Sequence, residues 1–304
     1  MSSGMPIRPS MVVPFLLKGR RDCTTFALAA AVFLLAPAVS AQFSSGVNVV
    51  EVYAAVTDQN GAPVPGLRRE DFTVLEDGRA QTVSAFAEGD FPLSVALAID
   101  RSFSMGTRQL PTAVSAARTF LGELRPGDEA MIVAIGSEIE VVSPLSTDRA
   151  AQQGALADLK PWGTTGLHDA IIESIEAIQS AKGRRALVLL SDGNDRYSKA
   201  SASDAIDRAR RSDVMVYPIA FGKSRPTMFA ELAAVTGGRS FQPPDTAQLN
   251  TAMRTIANEL RHQYLIGYTP SRPIAGAEGQ WRTITVRVNR SDVRVRARDG
   301  YLAK

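Results

Sequence analysis

Hydrophobic positions along this chain follow two different periods, and the period changes twice. Between residues 42 and 90, apolar and polar residues alternate in short runs rich in valine, which predicts β-strands. Between residues 91 and 258, continuous apolar runs alternate with stretches in which apolar residues recur every three or four positions. From residue 259 to 304 the strict alternation returns. The pattern therefore predicts a β segment, an α/β segment and a second β segment.

The middle segment predicts a doubly wound, mainly parallel sheet. LSVALAI, EAMIVAIG, RALVLLS and VMVYPIAF are apolar enough for strands covered on both faces, whereas EIEVVSPL is typical of an edge strand. Helical spacing follows these runs, and the predicted helices cover residues 108–124, 147–160, 166–181, 202–211, 227–236 and 246–263. Strands that alternate with helices favour an α/β fold with helices on both faces of the sheet.

The outer segments carry short strands that cannot each form a stable sheet alone. VNVVEVYAAVTD, DFTVLEDG and AQTVSAFAE precede the α/β segment, and QYLIGYTP, WRTITVRVN and DVRVRARDG follow it. We therefore expect residues 42–90 and 259–304 to pair as one small β-sandwich, with the α/β segment inserted between them. Arg294, Arg296 and Arg298 alternate with apolar residues, which predicts a solvated strand face and not a nucleic-acid patch.

Residues 1–41 have the features of a secretory signal peptide. Basic residues precede the apolar stretch TTFALAAAVFLLAPAV, and the small residues Ser40 and Ala41 follow at a cleavage position. An N-terminal anchor that stays in place is the alternative, but the apolar stretch is shorter than the ~20 residues that a helical span needs. The sequence thus predicts export to a periplasm or the cell exterior, with cleavage after Ala41 and no remaining membrane span.

Removal of residues 1–41 changes both the charge and the cysteine content. The whole chain carries 34 basic and 31 acidic residues, whereas residues 42–304 carry 30 of each. A balanced charge offers no general field that would attract nucleic acid or anionic lipid. The single cysteine, Cys23, lies in the predicted signal peptide. The exported chain is therefore predicted to have no disulfide, no cysteine nucleophile and no cysteine–zinc site.

Oxygen-bearing side chains lie in three predicted loops, two directly after parallel strands and one directly before a helix. The carboxyl ends of such strands meet at one edge of the sheet, where ligands bind. Carboxylate and hydroxyl oxygens are hard donors that suit Mg²⁺. Each motif alone also has a structural explanation as a helix cap or a turn. The side chains concerned are Asp100, Ser102 and Ser104 in LAIDRSFSM, Thr164 and Thr165 in WGTTGLHDAI, and Asp192 in LVLLSDGND.

The order of these residues resembles the metal-ion-dependent adhesion site of a von Willebrand factor A domain. The resemblance covers roughly residues 91–258 and implies the same doubly wound α/β fold. It also implies one divalent cation, Mg²⁺ first and Mn²⁺ or Ca²⁺ as alternatives, with an open position for an Asp or Glu of a partner protein. Thr165 is preferred to Thr164 because the family's threonine directly opens its helix. The implied ligands are Asp100, Ser102, Ser104, Thr165 and Asp192.

The flanks resemble a bacterial family of exported proteins related to this domain. The shared features are the spacing V-x-D-x-x-G-x-x-V-x-G-L in residues 56–67, and the later stretches TGGRSF, ELRHQYLIGYTP and ARDGY. Phe103 and Met105 lie beside the implied metal site, where they either offer a partner an apolar contact or pack inward. The sequence therefore predicts an exported, non-enzymatic binding protein.

Two other classes of protein, an enzyme and a structural module, remain as alternatives. A metal-dependent phosphohydrolase of the haloacid dehalogenase type also places an Asp after its first strand, but it needs a second acid where this chain has Ser102. Serine hydrolysis would need a base, and His168 and His262 are the only histidines, with no G-x-S-x-G motif. The other class is a structural envelope module whose metal site is not used.

Overall fold

The computed structural model describes residues 49–89, 91–222, 225–274 and 276–303. The predicted signal peptide, residues 1–41, lies outside the described residues, as do the first residues of the 42–90 segment. Within the described residues, no helix combines the length and the apolar character that crossing a membrane requires.

A central sheet carries the α/β part of the fold. Its strands are β5 (Leu93–Asp100), β6 (Glu129–Ile135), β7 (Ile139–Ser146), β8 (Arg184–Ser191) and β9 (Val214–Ala220). They lie in the order β7-β6-β5-β8-β9, and all pairs are parallel except β6 with β7 at the edge. Because β5 has β6 on one side and β8 on the other, the strand order reverses there, and a crevice forms at the carboxyl end of β5.

Helices cover both faces of the central sheet. On one face lie α1 (Gly106–Glu123), α2 (Arg149–Asp158) and α6 (Thr246–Arg261), and on the other lie α3 (Leu167–Ile178), α4 (Ala202–Arg210) and α5 (Thr227–Thr236). Alternate residues of β5 point to opposite faces of the sheet. Leu97 and Ile99 pack against α1, α2 and α6, and Ala96 and Ala98 pack against α3, α4 and α5. The predicted α/β fold class is confirmed.

Two antiparallel sheets combine strands from both ends of the chain. The first has the order β12-β1-β10-β4 and the second the order β13-β11-β2-β3. The two sheets share one apolar core, in which the ring of Phe72 lies 5.4 Å from that of Phe86 and 5.0 Å from that of Tyr264. The strands are β1 (Val50–Asp58), β2 (Phe72–Glu76), β3 (Arg79–Gln81), β4 (Val83–Glu88), β10 (Gln263–Tyr268), β11 (Trp281–Val288), β12 (Val293–Arg296) and β13 (Gly300–Leu302).

The insertion begins and ends at neighbouring strands. β4 and β10 pair in antiparallel register, with Glu88 opposite Tyr264. Residues 89–92 separate β4 from β5, and His262 alone separates α6 from β10. The boundaries at residues 90 and 258 stay predictions.

The sequence pattern was wrong in detail at three places in the outer strands. AQTVSAFAE, predicted as one strand, forms β3 and β4, which belong to different sheets. DVRVRARDG forms only β12 and the start of β13. Arg296 and Arg298 are not on a solvated face: Arg296 pairs with Glu259, and Arg298 donates to the carbonyl of Glu51 at 2.7 Å. Their partners come from distant segments, which alternation along one strand cannot reveal.

A buried carboxylate connects the two antiparallel sheets. Glu76 of β2 accepts hydrogen bonds from the hydroxyls of Tyr268 at 3.0 Å and Tyr301 at 2.8 Å, and from Arg282 at 3.2 Å. Glu76 and Arg282 are both almost fully buried. Further hydrogen bonds offset part of the cost of burying this ion pair: the carbonyls of Arg272 and Pro273 accept from Arg282, whereas the Nε atom of Arg282 is buried without a partner.

A second buried carboxylate connects the central sheet to the antiparallel sheets. Glu259 of α6 accepts from the hydroxyl of Tyr217 in β9 at 2.8 Å and pairs with Arg296 of β12. Arg296 also donates to the carbonyl of Gly238 at 2.9 Å. The last helix of the inserted segment is thus fixed against strand β12, which follows it in the chain.

Candidate metal-binding site

Asp100 ends strand β5 and is completely buried. Its Oδ1 accepts from the backbone N–H of Ser102 at 2.9 Å, and its Oδ2 accepts from the hydroxyl of Ser191 at 2.7 Å. Burial raises the pKa of Asp100, the hydrogen bonds from Ser102 and Ser191 lower it, and the negative charge of Asp192 raises it. Among the described residues, no Arg, Lys or His side chain forms an ion pair with this carboxylate.

The first loop, residues 101–105, places two hydroxyls beside Asp100. Ser102 is buried and Ser104 is exposed, and their Oγ atoms lie 3.0 Å apart. The two apolar residues of the loop differ. Phe103 is 68% exposed, whereas Met105 packs inward in the core under α1. Of the two, only Phe103 can contact a partner.

The second loop, residues 162–166, precedes α3 and is joined to the first by two backbone hydrogen bonds. Trp162 N–H donates to the carbonyl of Arg101 at 2.7 Å, and Phe103 N–H donates to the carbonyl of Gly163 at 3.0 Å. The two threonines of this loop face different surroundings. Thr165 is buried, whereas Thr164 is exposed and lies 3.2 Å from Ser137 through its hydroxyl.

The third loop, residues 192–198, follows β8. Ile99 lies opposite Leu190 in the parallel register, which brings the next residue, Ser191, beside Asp100. Asp192 is half-buried, and its Oδ1 accepts from Asn194 N–H at 3.0 Å.

The third loop is joined to the second through the carbonyl of Thr165, which accepts from the N–H groups of Arg196 and Tyr197 at 2.9 and 3.0 Å. Three loops therefore meet at the carboxyl edge of the sheet.

The predicted ligands are distributed over these loops as follows. Asp100, Ser102 and Ser104 are linked by the hydrogen bonds given above. Asp192 is near enough to Asp100 to raise its pKa. The loop that carries Thr165 is hydrogen-bonded to the other two loops through backbone atoms, and the role of Thr165 as a ligand stays a prediction.

Sequence reasoning missed two polar residues that build the site. Ser191 bridges two strand ends, since its hydroxyl donates to Asp100 and accepts from Gly193 N–H at 3.0 Å. Asp195 caps α3: its Oδ1 accepts from Leu167 N–H at 2.8 Å and from the hydroxyl of Ser198 at 2.6 Å. A small polar residue at the end of a buried strand was the available signal for Ser191. Nothing local indicated that Asp195 caps a helix that begins 28 residues earlier in the chain.

The neighbouring histidine has a structural partner. The Nδ1 atom of His168 lies 3.1 Å from the carbonyl oxygen of Ala200 and 3.7 Å from Asp195. His262, at the end of α6, is half-buried and contacts the carbonyl of Asn258 at 2.7 Å. In the part of the chain that the structure describes, neither histidine ring contacts a serine hydroxyl, the contact that activates a serine nucleophile.

The donor chemistry at this edge fits a hard divalent cation. Carboxylate and hydroxyl oxygens suit Mg²⁺, Mn²⁺ and Ca²⁺ in preference to softer metals. A buried carboxyl group next to a second carboxylate, with no basic partner among the described residues, is the environment that a cation would neutralise. Across the described residues, no cluster of three or more His, Cys, Asp and Glu side chains could hold a metal, and the predicted site contains only two residues of these types.

Comparison with known proteins agrees with the fold. Residues 95–194 match the family model described as von Willebrand factor type A domain. Over 165 residues the chain is 30% identical to calcium-activated chloride channel regulator 4 of Homo sapiens, with 51% of this chain and 18% of that protein covered. Over 183 residues it is 24% identical to inter-alpha-trypsin inhibitor heavy chain H1 of Mesocricetus auratus, with 53% and 20% covered. The chain thus spans about a fifth of the length of these two relatives.

A solved structure supports the same fold over most of the chain. The von Willebrand factor type A protein from Catenulispora acidiphila is 15% identical and has a TM-score of 0.50, with 86% of this chain and 76% of that chain covered. At this identity the likeness concerns the fold alone.

Proposed function

Because this chain carries a von Willebrand factor type A domain, in general a protein-interaction module, we propose that it binds a partner protein through a divalent metal. The metal captures an Asp or Glu side chain of the partner, and no catalytic step is involved. The observation that carries this proposal is the completely buried carboxyl group of Asp100 at the end of β5, which accepts only from the N–H and hydroxyl groups of two serines, Ser102 and Ser191, among the described residues.

Five side chains would hold the metal. Asp100 and Asp192 would supply negative charge, and the three hydroxyls would supply neutral oxygen ligands at the same edge of the sheet. Mg²⁺ is the favoured ion, with Mn²⁺ and Ca²⁺ as alternatives, because all the donors are hard oxygens. The ligands are Asp100, Ser102, Ser104, Thr165 and Asp192.

The charge count explains why such a metal would bind a further acid. Two carboxylates balance the charge of a divalent ion, whereas hydroxyls add none. The ion therefore still attracts one more carboxylate from a partner. A third carboxylate from the protein itself would remove that attraction. Ser104 and Asp192 are accessible to solvent, so a partner can approach from this side.

The proposal includes export. Residues 1–41 combine a basic segment, an apolar stretch and small residues before the predicted cleavage position. The β-sandwich then holds the metal-binding domain by two neighbouring strands, β4 and β10. The protein would act in a periplasm or outside the cell.

Calorimetric titration of the full chain with Mg²⁺ and with Mn²⁺ tests the metal site. We expect one binding site, which Asp100→Asn abolishes. Asp128→Asn is the matched control, since Asp128 is also buried but lies before β6, at the opposite edge of the sheet. If the folded wild-type protein gives no binding heat, or if Asp100→Asn binds as tightly as wild type, the proposal is wrong. The absence of binding heat would favour a structural module.

A further inference from the structure

Large apolar side chains are concentrated around the proposed metal site. In the part of the chain that the structure describes, the exposed large hydrophobic residues are Phe103, Val141, Trp162 and Tyr197. Phe103, Trp162 and Tyr197, here called the aromatic rim, lie on the first, second and third loops respectively, with exposures of 68%, 40% and 60%. Each proposed ligand loop therefore presents one aromatic ring to solvent.

The backbone of the aromatic rim is held by hydrogen bonds between the loops. Phe103 and Trp162 each donate their N–H to the other's loop, at 3.0 and 2.7 Å, and Tyr197 donates to the carbonyl of Thr165 at 3.0 Å. The loops thus do not position the rings independently. A surface whose backbone is already ordered loses less conformational entropy when it binds.

The ring of Trp162 is also oriented by contacts with Arg101 and Gly136. The guanidinium of Arg101 lies 5.2 Å from the ring centroid, and Arg101 pairs in turn with Glu140 at 2.9 Å. On another side the ring packs on Gly136, where an added Cβ would lie 2.8 Å from a ring carbon. The indole is therefore oriented by two contacts and still leaves much of its surface in water. Exposed, oriented Trp and Tyr side chains are typical of residues that dominate binding energy at interfaces.

We propose that the aromatic rim recognises the residues that flank the partner's metal-binding acid. The partner segment carries one Asp or Glu with aliphatic or proline side chains beside it, so that the carboxylate reaches the metal and the apolar neighbours cover the rings. This inference rests on the proposed function. A peptide suits this arrangement because the residues on either side of its acid point in different directions. While the acid binds the metal, those neighbours can contact rings on different loops.

The charges beside the aromatic rim favour a peptide over a lipid bilayer. Asp192 lies on the third loop, Asp100 ends the strand before the first loop, and Glu140 contacts Arg101, which lies against Trp162. Insertion of the rings into hydrocarbon would bring the exposed carboxylate of Glu140 and the open coordination position of the proposed metal towards lipid, which is costly.

Selection from a phage-displayed library of random dodecapeptides tests the proposal. The full chain is immobilised in Mg²⁺ and bound phage are eluted with EDTA. We expect the selected peptides to contain an Asp or Glu with an aliphatic residue or proline within two positions. A synthetic copy of a selected peptide should bind the triple variant Phe103→Ser, Trp162→Ser, Tyr197→Ser at least about tenfold more weakly than wild type.

Controls separate this inference from the proposed function. The triple variant should keep its calorimetric Mg²⁺ affinity, whereas Asp100→Asn should lose both metal and peptide. Val141→Ser is the matched control, since Val141 is 47% exposed but lies on edge strand β7 and not on a ligand loop. It should bind the peptide as wild type does.

Several results would overturn the role of the aromatic rim. Provided that wild type binds Mg²⁺, the proposal is wrong if the selected peptides lack apolar residues beside the acid. It is also wrong if the triple variant binds the peptide as tightly as wild type, or if no peptide binds in a Mg²⁺-dependent way. Binding of wild type, but not of the triple variant, to phosphatidylcholine–phosphatidylglycerol vesicles without any selected peptide would assign the rings to a membrane instead. Absence of Mg²⁺ binding by wild type would reject both proposals, and calorimetry identifies that case directly.

Discussion

Asp100 is a carboxylic acid that is completely buried, although an ionised carboxylate is more stable in water. A buried carboxyl group normally has a basic partner, and here its partners are the N–H of Ser102 and the hydroxyl of Ser191. Neutral donors stabilise a carboxylate less than a cation does. This environment supports the proposal that a cation from solution binds at Asp100.

The two adjacent threonines provide a test at the scale of one side chain. Thr165→Ala should weaken Mg²⁺ binding at least about tenfold, because it removes one proposed oxygen ligand. Thr164→Ala should change it little, since the Thr164 hydroxyl is exposed and contacts Ser137. Calorimetric titration of both variants measures the difference. A larger loss in Thr164→Ala would transfer the ligand role to that residue.

Asp192 and Asp195 should separate metal binding from stability. Asp195→Ala removes the N-terminal cap of α3 and should lower the free energy of unfolding by about 1–2 kcal/mol. Asp192→Ala should leave stability in EDTA nearly unchanged, because Asp192 is half-exposed and bonds only within its own turn in the described residues. Urea unfolding in EDTA gives both values. Equal losses in the two variants would contradict this division.

The candidate site was partly predictable from single residues. Asp100 and Asp192 each follow an uninterrupted apolar run, so the sheet edge was inferable from the sequence. The contacts that support them were not. Asp195 reaches back across the chain to Leu167, and Ser191 crosses to Asp100 through strand pairing, so neither partner is near in sequence.

At the scale of an element, the second loop depends on a glycine. Gly163 has a φ of +72°, and an added Cβ would lie 2.7 Å from the Ser137 hydroxyl oxygen. Gly163→Ala should therefore cost about 1–3 kcal/mol of unfolding free energy and weaken Mg²⁺ binding, because Thr165 follows two residues later. Urea unfolding and calorimetry measure the two effects.

Gly122→Ala is the control for that substitution. Gly122 lies in α1, and an added Cβ would meet nothing within 4 Å. Alanine in a helix is about 0.5–1 kcal/mol more favourable than glycine, so this variant should be slightly more stable. If both variants lost the same stability, the strain assigned to Gly163 would be absent.

Elements were predictable where their pattern was long. α5 covers Thr227–Thr236, the residues given by its apolar spacing, and the buried strands of the central sheet follow their apolar runs closely. The failures are short. β13 has three residues, too few to show a period, and β3 and β4 are separated by a single residue. Short strands are defined by their partners, which a local pattern does not contain.

At the scale of the molecule, removing only one partner of the Glu76–Arg282 pair should strongly destabilise the sandwich. Glu76→Leu leaves the Arg282 guanidinium buried without its carboxylate and should cost about 3–5 kcal/mol. Adding Arg282→Met should restore part of that loss, since the pair is then replaced by apolar groups. Urea unfolding of the two variants and of wild type tests this. A double variant less stable than Glu76→Leu would contradict it.

The hydrogen bonds around Glu76 also predict a loss of stability in alkali. Burial and the neighbouring Glu76 raise the pKa of Tyr301 to about 12, from about 10 in an unfolded chain. Between these two pKa values the Tyr301 hydroxyl is protonated in the folded protein and ionised in the unfolded chain, so unfolding releases a proton. The free energy of unfolding therefore falls as pH rises, and Tyr301 contributes about 1.4 kcal/mol per pH unit to that fall. Below pH ~10 its contribution is fully present.

Tyr301→Phe should make that decline less steep by the same amount. Part of the decline should remain, because burial also raises the pKa of Tyr268. Urea unfolding of wild type and variant at several pH values measures the two slopes. Identical slopes would show that Tyr301 titrates normally in the folded protein.

The pairing of β1 and β4 with β10 has a consequence for the chain during synthesis. In the described residues, β1 pairs only with β10 and β12, and β4 pairs only with β10. A ribosome makes β1 and β4 first, then the whole inserted domain, and only afterwards the strands that complete their sheet. The earliest strands therefore spend most of translation with open edges, and we expect the nascent chain to need a holding factor or prompt delivery until residue 296, the end of β12, has emerged.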